Sequence, residues 1–205
     1  MKKLNFVPPN DPILLRKAQE VTRSEIGSPK FRGLIDTLLA FARGEQSDRK
    51  RGILVGLAVP QVGMSKRIIL VDVGADGHGG VSDLRVYINP EITWSSVEKN
   101  EWYEGCYSTA QVKGIVSRPT EIKIKAFTRK GKLVKESHHG YVARIFQHEI
   151  DHLNGKEFVT HIRDANKLHW VEEAEFPLYR DQEAWRNWPH KCPRERWEQI
   201  KGIRR

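Results

Sequence analysis

The run Gln147-His148-Glu149-Ile150-Asp151-His152 carries the clearest chemistry in the chain. On a helix, His148 and His152 leave one face about a turn apart, the bite a divalent cation needs from two ring nitrogens. Glu149 can reach a water on such an ion without ligating it. The pattern encodes two ligands, an open coordination position and a general base, the parts of a hydrolytic centre. Two histidines on a charged helix could also simply be solvated. The apolar frame argues for burial: Tyr141, Val142, Ile145, Phe146, Ile150 and Leu153 recur at helical spacing. Gly140 precedes this helix, and Gly155 follows where a C-terminal cap belongs.

A catalytic site of this kind wants a third protein ligand. The extended pattern with a histidine three residues past Gly155 fails, because that position is Phe158. A thermolysin-like arrangement, with Glu172, Glu173 or Glu175 on a following helix, stays open. So does Cys106, in Glu104-Gly105-Cys106-Tyr107-Ser108 at the end of a strand-like run. The chain's two cysteines, Cys106 and Cys192, could form one disulfide. A basic chain without a signal-like start is expected to be cytoplasmic, where disulfides rarely persist. A free cysteine is more often a small buried hydrophobe than a ligand.

Three segments in order resemble the peptide deformylase family. Its G-φ-G-φ-A-A-x-Q segment (φ apolar) appears as Leu54-Val55-Gly56-Leu57-Ala58-Val59-Pro60-Gln61. Its E-G-C-φ-S segment is Glu104 to Ser108, and its Q-H-E-φ-D-H segment is Gln147 to His152. The similarity covers roughly residues 5–163, with Arg67 to Val73 and Ile88-Asn89-Pro90 also family-like.

The resemblance implies Cys106, His148 and His152 as ligands of one divalent metal per chain. Ferrous iron is the family's usual ion, and Zn2+, Ni2+ or Co2+ would be able to occupy the site. It implies Glu149 as general base and then acid, with Gln61 and the backbone N–H of Tyr107 as oxyanion donors. Gly56, Val55, Trp102 and Tyr141 would contact substrate, Gly56 by letting its backbone approach. Glu104 and Arg118 would pair behind the ligands. The implied reaction is hydrolysis of the N-formyl group from the initiator methionine of new polypeptides, releasing formate. Rival readings are the thermolysin-like peptidase and a catalytically silent relative that binds ribosomes or formylated peptides. Leu54, Val59, Thr109-Ala110, Tyr107 and Trp102 depart from the family pattern where substrate would lie. Trp102 is expected to narrow the pocket for the first side chain.

The elements that must position these groups read as α+β: short, mostly antiparallel strands around the ligand-bearing helix, with a partly helical C-terminal tail. The domain expected over 1–163 is followed by an extension, 164–205. A helix is expected near 29–43, and strands over Ile68–Val73 and Val86–Ile88, the latter ending at Asn89-Pro90. Glu45 to Arg51 and Gly74 to Gly80 read as loops. Glu121–Thr128 and Leu133-Val134 read as a hairpin turning at Arg129 to Lys132. Asp164 is expected to cap a helix through about Ala174, which Pro177 interrupts. Trp170, Trp185, Trp188 and Trp197 crowd this tail and are expected to pack back on the body.

The 205 residues suffice for one domain with a real core. No apolar run approaches the roughly 20 residues of a membrane span, and no motif for sequence-specific nucleic-acid binding is visible. The formal net charge of +9 favours polyanions. Residues 191–205 concentrate it, with Lys191, Arg194, Arg196, Lys201, Arg204 and Arg205 against Glu195 and Glu198. Ribosome association through this basic tail is the corresponding expectation.

Overall fold

The computed structural model describes residues 3–45, 54–77 and 82–203. The expected loop at 45–51 lies almost wholly outside the described residues, as does the end of the one at 74–80.

Helices α1 (Arg23–Ile26) and α2 (Pro29–Ala42) come first, each entered through a hydroxyl cap, Thr22 and Ser28. Strands β1 (Gly56–Ala58), β2 (Ile68–Asp72), β3 (Leu84–Ser95), β4 (Lys99–Gly105), β5 (Val112–Pro119), β6 (Glu121–Phe127) and β7 (Leu133–His139) follow, and then helix α3 (Gly140–Leu153). The C-terminal segment supplies β8 (Leu168–Trp170), α4 (Phe176–Arg180) and α5 (Arg194–Ile200). All strand pairings are antiparallel, in a five-stranded sheet β1-β2-β3-β6-β7 and a three-stranded sheet β4-β5-β8.

The period of two along β2 explains the layering. Ile68 and Leu70 join Phe31, Ile35, Leu38 and Phe41 of α2 in one core cluster. Ile69 and Val71 join Ala143, Phe146, Ile150 and Leu153 of α3 in another. The large sheet is thus buried between α2 and α3, and β2 is apolar on both faces for that reason. Among the described residues, no helix is long and apolar enough to cross a membrane.

Two local expectations are corrected. The strand expected to stop at Asn89-Pro90 runs on to Ser95. Asn89 takes a left-handed backbone (φ 49°), and the register slips between Ile88 and Glu91. This is a bulge, which tolerates a proline lacking its N–H. The Asn89 amide holds it by bonding the backbone of Val21 (2.9 and 2.8 Å).

Asp164 does not begin a helix to Ala174. It caps one short turn, Ala165–Lys167, and the chain then pairs along β5 as Val112↔Trp170, Lys113↔His169 and Gly114↔Leu168. The edge of β5 offers unpaired backbone groups, and burying Leu168 against Val112, Val116 and Phe158 outweighs the weak helical preference. Pro177 lies in the first turn of α4 and does not interrupt a helix. Three of the tail indoles, Trp185, Trp188 and Trp197, are buried. Trp170 is half-buried, with the Arg196 guanidinium 3.2 Å from its ring centre. Cys106 and Cys192 are not joined in a disulfide.

Candidate metal centre and cleft

Helix α3 begins at Gly140, whose backbone is left-handed (φ 57°), and ends before Gly155 (φ 68°). A Cβ on Gly155 would lie 2.7 Å from the Leu15 carbonyl, so only glycine fits this stop. Between these points nearly every turn is buried, His148, Glu149 and His152 included. Phe158 stacks on His148 with ring centres 6.2 Å apart.

Cys106 follows β4 and opens a short helical turn, Tyr107–Thr109. Its Sγ stands 3.3 Å from His152 Nε2 and accepts bonds from Gln61 Nε2 (2.9 Å) and Ser108 N (3.4 Å). One ligating atom each from Cys106, His148 and His152 falls within 4.8 Å of the others, the one such His/Cys/Asp/Glu group found among the described residues. Glu172, Glu173 and Glu175 do not join it, so the thermolysin-like donor set is not formed.

The electrostatics suit a cation. Burial raises the Cys106 thiol, but the facing His152 and His148 more than offset this and hold it well below its usual range. A thiolate is the ligating form. His148 Nδ1 is 2.9 Å from Glu104 Oε2 and donates to it, leaving Nε2 available to ligate a cation. His152 Nδ1 is buried with no hydrogen-bond partner among the described residues. One thiolate and two imidazoles are a donor set for a first-row divalent metal, and the residues fit one.

Behind these three side chains lies a buried charge network. Arg118 grips Glu104 with two bonds, Nε to Oε1 (2.6 Å) and Nη2 to Oε2 (2.9 Å). Arg144 Nη1 donates to Glu104 Oε1 (2.7 Å), and Arg118 Nη1 to Asp151 Oδ2 (2.8 Å). Burial raises the Glu104 carboxyl, but Arg118 and His148 hold it well below the usual range. The carboxylate is therefore ionised and can orient His148. Glu104 and Arg118 are the two residues of this network that the sequence had named. Arg144 and Asp151 were not singled out, although Arg144 lies four residues before His148 and hence on its face.

Glu149 is buried, and its Oε2 has no hydrogen-bond partner among the described residues. Burial pushes its carboxyl up to about 7, against the pull of His148 and His152. Strand β1 passes directly over it. A Cβ on Gly56 would collide with Glu149 Oε1 and lie 2.8 Å from Ile145 Cγ2. The space at Gly56 is thus already used by the carboxylate, beyond any approach of substrate. Gln61, in the turn after β1, has its carbonyl fixed by Ala58 N–H (2.8 Å), so its NH2 faces Cys106 Sγ and Ser108 Oγ.

These groups open into a cleft of about 750 Å³. Val55, Gly56, Gln61, Tyr107 and Tyr141 line it, together with Phe6, Tyr103, Lys113 and Arg144, which the sequence did not single out. The exposed Tyr107 ring stacks on Phe6 at 4.5 Å. Trp102 is corrected: it does not line the cleft but packs against Trp185 (5.9 Å) on the tail side, and its neighbour Tyr103 takes the lining position.

Antiparallel strands folded on a helix that bears two histidines and a buried carboxylate, with a cysteine brought up to them from the end of β4, define a metal-dependent hydrolase. The family model described as polypeptide deformylase matches residues 3–168. The chain is 36% identical over 166 residues to the peptide deformylase of Natranaerobius thermophilus, covering 80% of this chain and 94% of that protein. It is 43% identical over 152 residues to that of Halothermothrix orenii, covering 74% and 88%.

Among solved structures, a class I type b peptide deformylase from Acinetobacter baumannii with Met-Ala-Ser bound superposes with a TM-score of 0.68 at 34% identity, over 78% of this chain and 98% of that one. The Thermotoga maritima enzyme gives 0.67 at 31%, over 80% and 100%. The chain belongs to the polypeptide deformylase family. It is a hydrolase that removes the N-formyl group from nascent peptides.

Proposed function

We propose that Cys106, His148 and His152 hold one divalent cation, natively ferrous iron, and that the substrate is the formylated initiator methionine of a new polypeptide. Zn2+, Ni2+ and Co2+ suit the same donors. When bound, such an ion supplies Lewis acidity, making water nucleophilic near neutral pH and polarising the formyl oxygen.

The chain's own groups do the rest. Glu149 takes a proton from the attacking water and returns it to the departing amine. A carboxyl held near 7 by burial is matched to both tasks. The Gln61 side-chain amide and the Tyr107 backbone N–H stabilise charge on the former formyl oxygen, a donor role typically worth about 3–4 kcal/mol. Gly56 and Val55 of the β1 segment and Tyr141 of α3 flank the substrate. Glu104 and Arg118 fix the His148 ring. The domain ends near residue 163, and the extension adds β8 to its small sheet and packs against it.

The observation that carries this reading is the buried Glu149 carboxylate beside three ligand atoms that lie within 4.8 Å of one another. Anaerobic loading with ferrous iron should give formate release from formyl-Met-Ala-Ser. A loaded enzyme that releases none refutes the reading.

The expected setting is the cytoplasm, with ribosome contact through the exposed basic residues of the tail. Lys191 and Arg196 are exposed, whereas Lys201 is only 3% exposed and pairs with Glu157 (3.0 Å). Charge reversal at Lys191 and Arg196 should therefore reduce co-sedimentation with ribosomes. Unchanged co-sedimentation refutes the tail as anchor.

A further inference from the structure

The cleft does not end where the family resemblance ends. After β8 the chain is held by Val171 N bonding Gln111 O (3.0 Å), and α4 then brings Phe176 and Arg180 into the cleft lining. Both lie beyond the residues matched by the family model.

Phe176 meets Tyr103 edge-on at 6.2 Å, and the Arg180 guanidinium sits 5.7 Å from the Phe176 ring centre. Arg180 Nη2 reaches Gly77 O at 3.5 Å and lies beside the Tyr103 hydroxyl. Gly77 in turn packs on Tyr141: a Cβ there would stand 3.3 Å from its ring. These five residues form one contiguous group. Tyr141 is seven residues before His148, so the group stands about 10 Å along α3 from the metal ligands. That separation keeps the group clear of the scissile bond and leaves it to face the substrate's side chain.

We infer that Phe176 and Arg180, supplied by the C-terminal extension, close the far end of the cleft and set which first side chain the enzyme accepts. The inference rests on the deformylase reading. Arg180 bridges α4 to the segment at Gly77 across that end of the cleft, and Phe176 narrows the space beside Tyr103. A flexible, unbranched methionine fits under this rim, and a bulky aromatic side chain meets it. An Arg180 backbone with no side chain leaves the end open.

The test compares wild type, Arg180→Ala and Phe176→Ala on formyl-Met-Ala-Ser and formyl-Phe-Ala-Ser, with thermal melts to establish folding. Arg180 is exposed, so its variant keeps the core intact. Arg180→Ala should raise the Phe-to-Met ratio of kcat/KM about tenfold or more, the scale on which a hydrophobic pocket discriminates by size. Calorimetric binding of Met-Ala-Ser and Phe-Ala-Ser should shift in the same sense. Ratios within about twofold of wild type in both variants, with formate still released from formyl-Met-Ala-Ser, overturn the rim's role and leave the activity standing. Absence of formate from the loaded wild-type enzyme overturns both.

Discussion

Gly56 and Glu149 occupy each other's space: the hydrogen at Gly56 leaves room for the Glu149 carboxylate that any side chain there would displace. Two groups would have to give: the Glu149 carboxylate, which is the free end of a flexible side chain, and the buried Ile145 Cγ2 methyl at 2.8 Å, which sits on a stiff β-branched one. Gly56→Ala should therefore lower kcat about 100-fold, the effect of a misplacement near 1 Å, and lower the melting temperature as well, since overpacking a core costs roughly 1–3 kcal/mol. Kinetics with parallel calorimetry checks both halves. Full activity would show that Glu149 works from another position.

Glu149→Gln removes the base without touching a ligand. It should cost about 10²- to 10⁴-fold in kcat with metal content unchanged. Elemental analysis beside the formate assay separates this from metal loss.

Glu104 anchors Arg118, Arg144 and His148 at once. Glu104→Gln leaves buried guanidinium groups short of a carboxylate, a loss of roughly 3–5 kcal/mol for a broken buried pair. It also loosens the His148 ring, which should weaken metal affinity about 10- to 100-fold. Urea unfolding and competition with a chelator measure the two effects.

His169, buried in β8 between the Tyr179 hydroxyl and Asn166 O, is pushed down to about 4 by burial, with Lys191 adding to the shift. Between the ordinary histidine value and about 4, the unfolded chain takes up a proton that the folded chain refuses. Stability should therefore fall as pH drops through that window, by about 3 kcal/mol in all. His169→Gln should flatten that part of the stability-against-pH curve. A variant with the wild-type slope would assign the acid sensitivity elsewhere.

Local spacing made the ligand helix legible, because i, i+4 geometry needs no knowledge of the rest of the fold. Cys106 needed the ordered company of two other motifs, since a lone thiol beside a glycine has no local signature. Two features escaped for a shared reason. Leu168–Trp170 becomes a strand only because the edge of β5 is waiting for it, a pairing between residues some fifty positions apart. Trp102 and Tyr103 differ by one step along β4, and that step decides which of them lines the cleft. The Asp164 cap was real, but it closed a single turn.

X-ray absorption on the anaerobically loaded protein tests the central claim most directly. The account predicts one ion per chain with one sulfur and two imidazole nitrogens in its shell, and loss of the sulfur signal in Cys106→Ser together with formate release. A shell without sulfur in the active wild-type protein would contradict it.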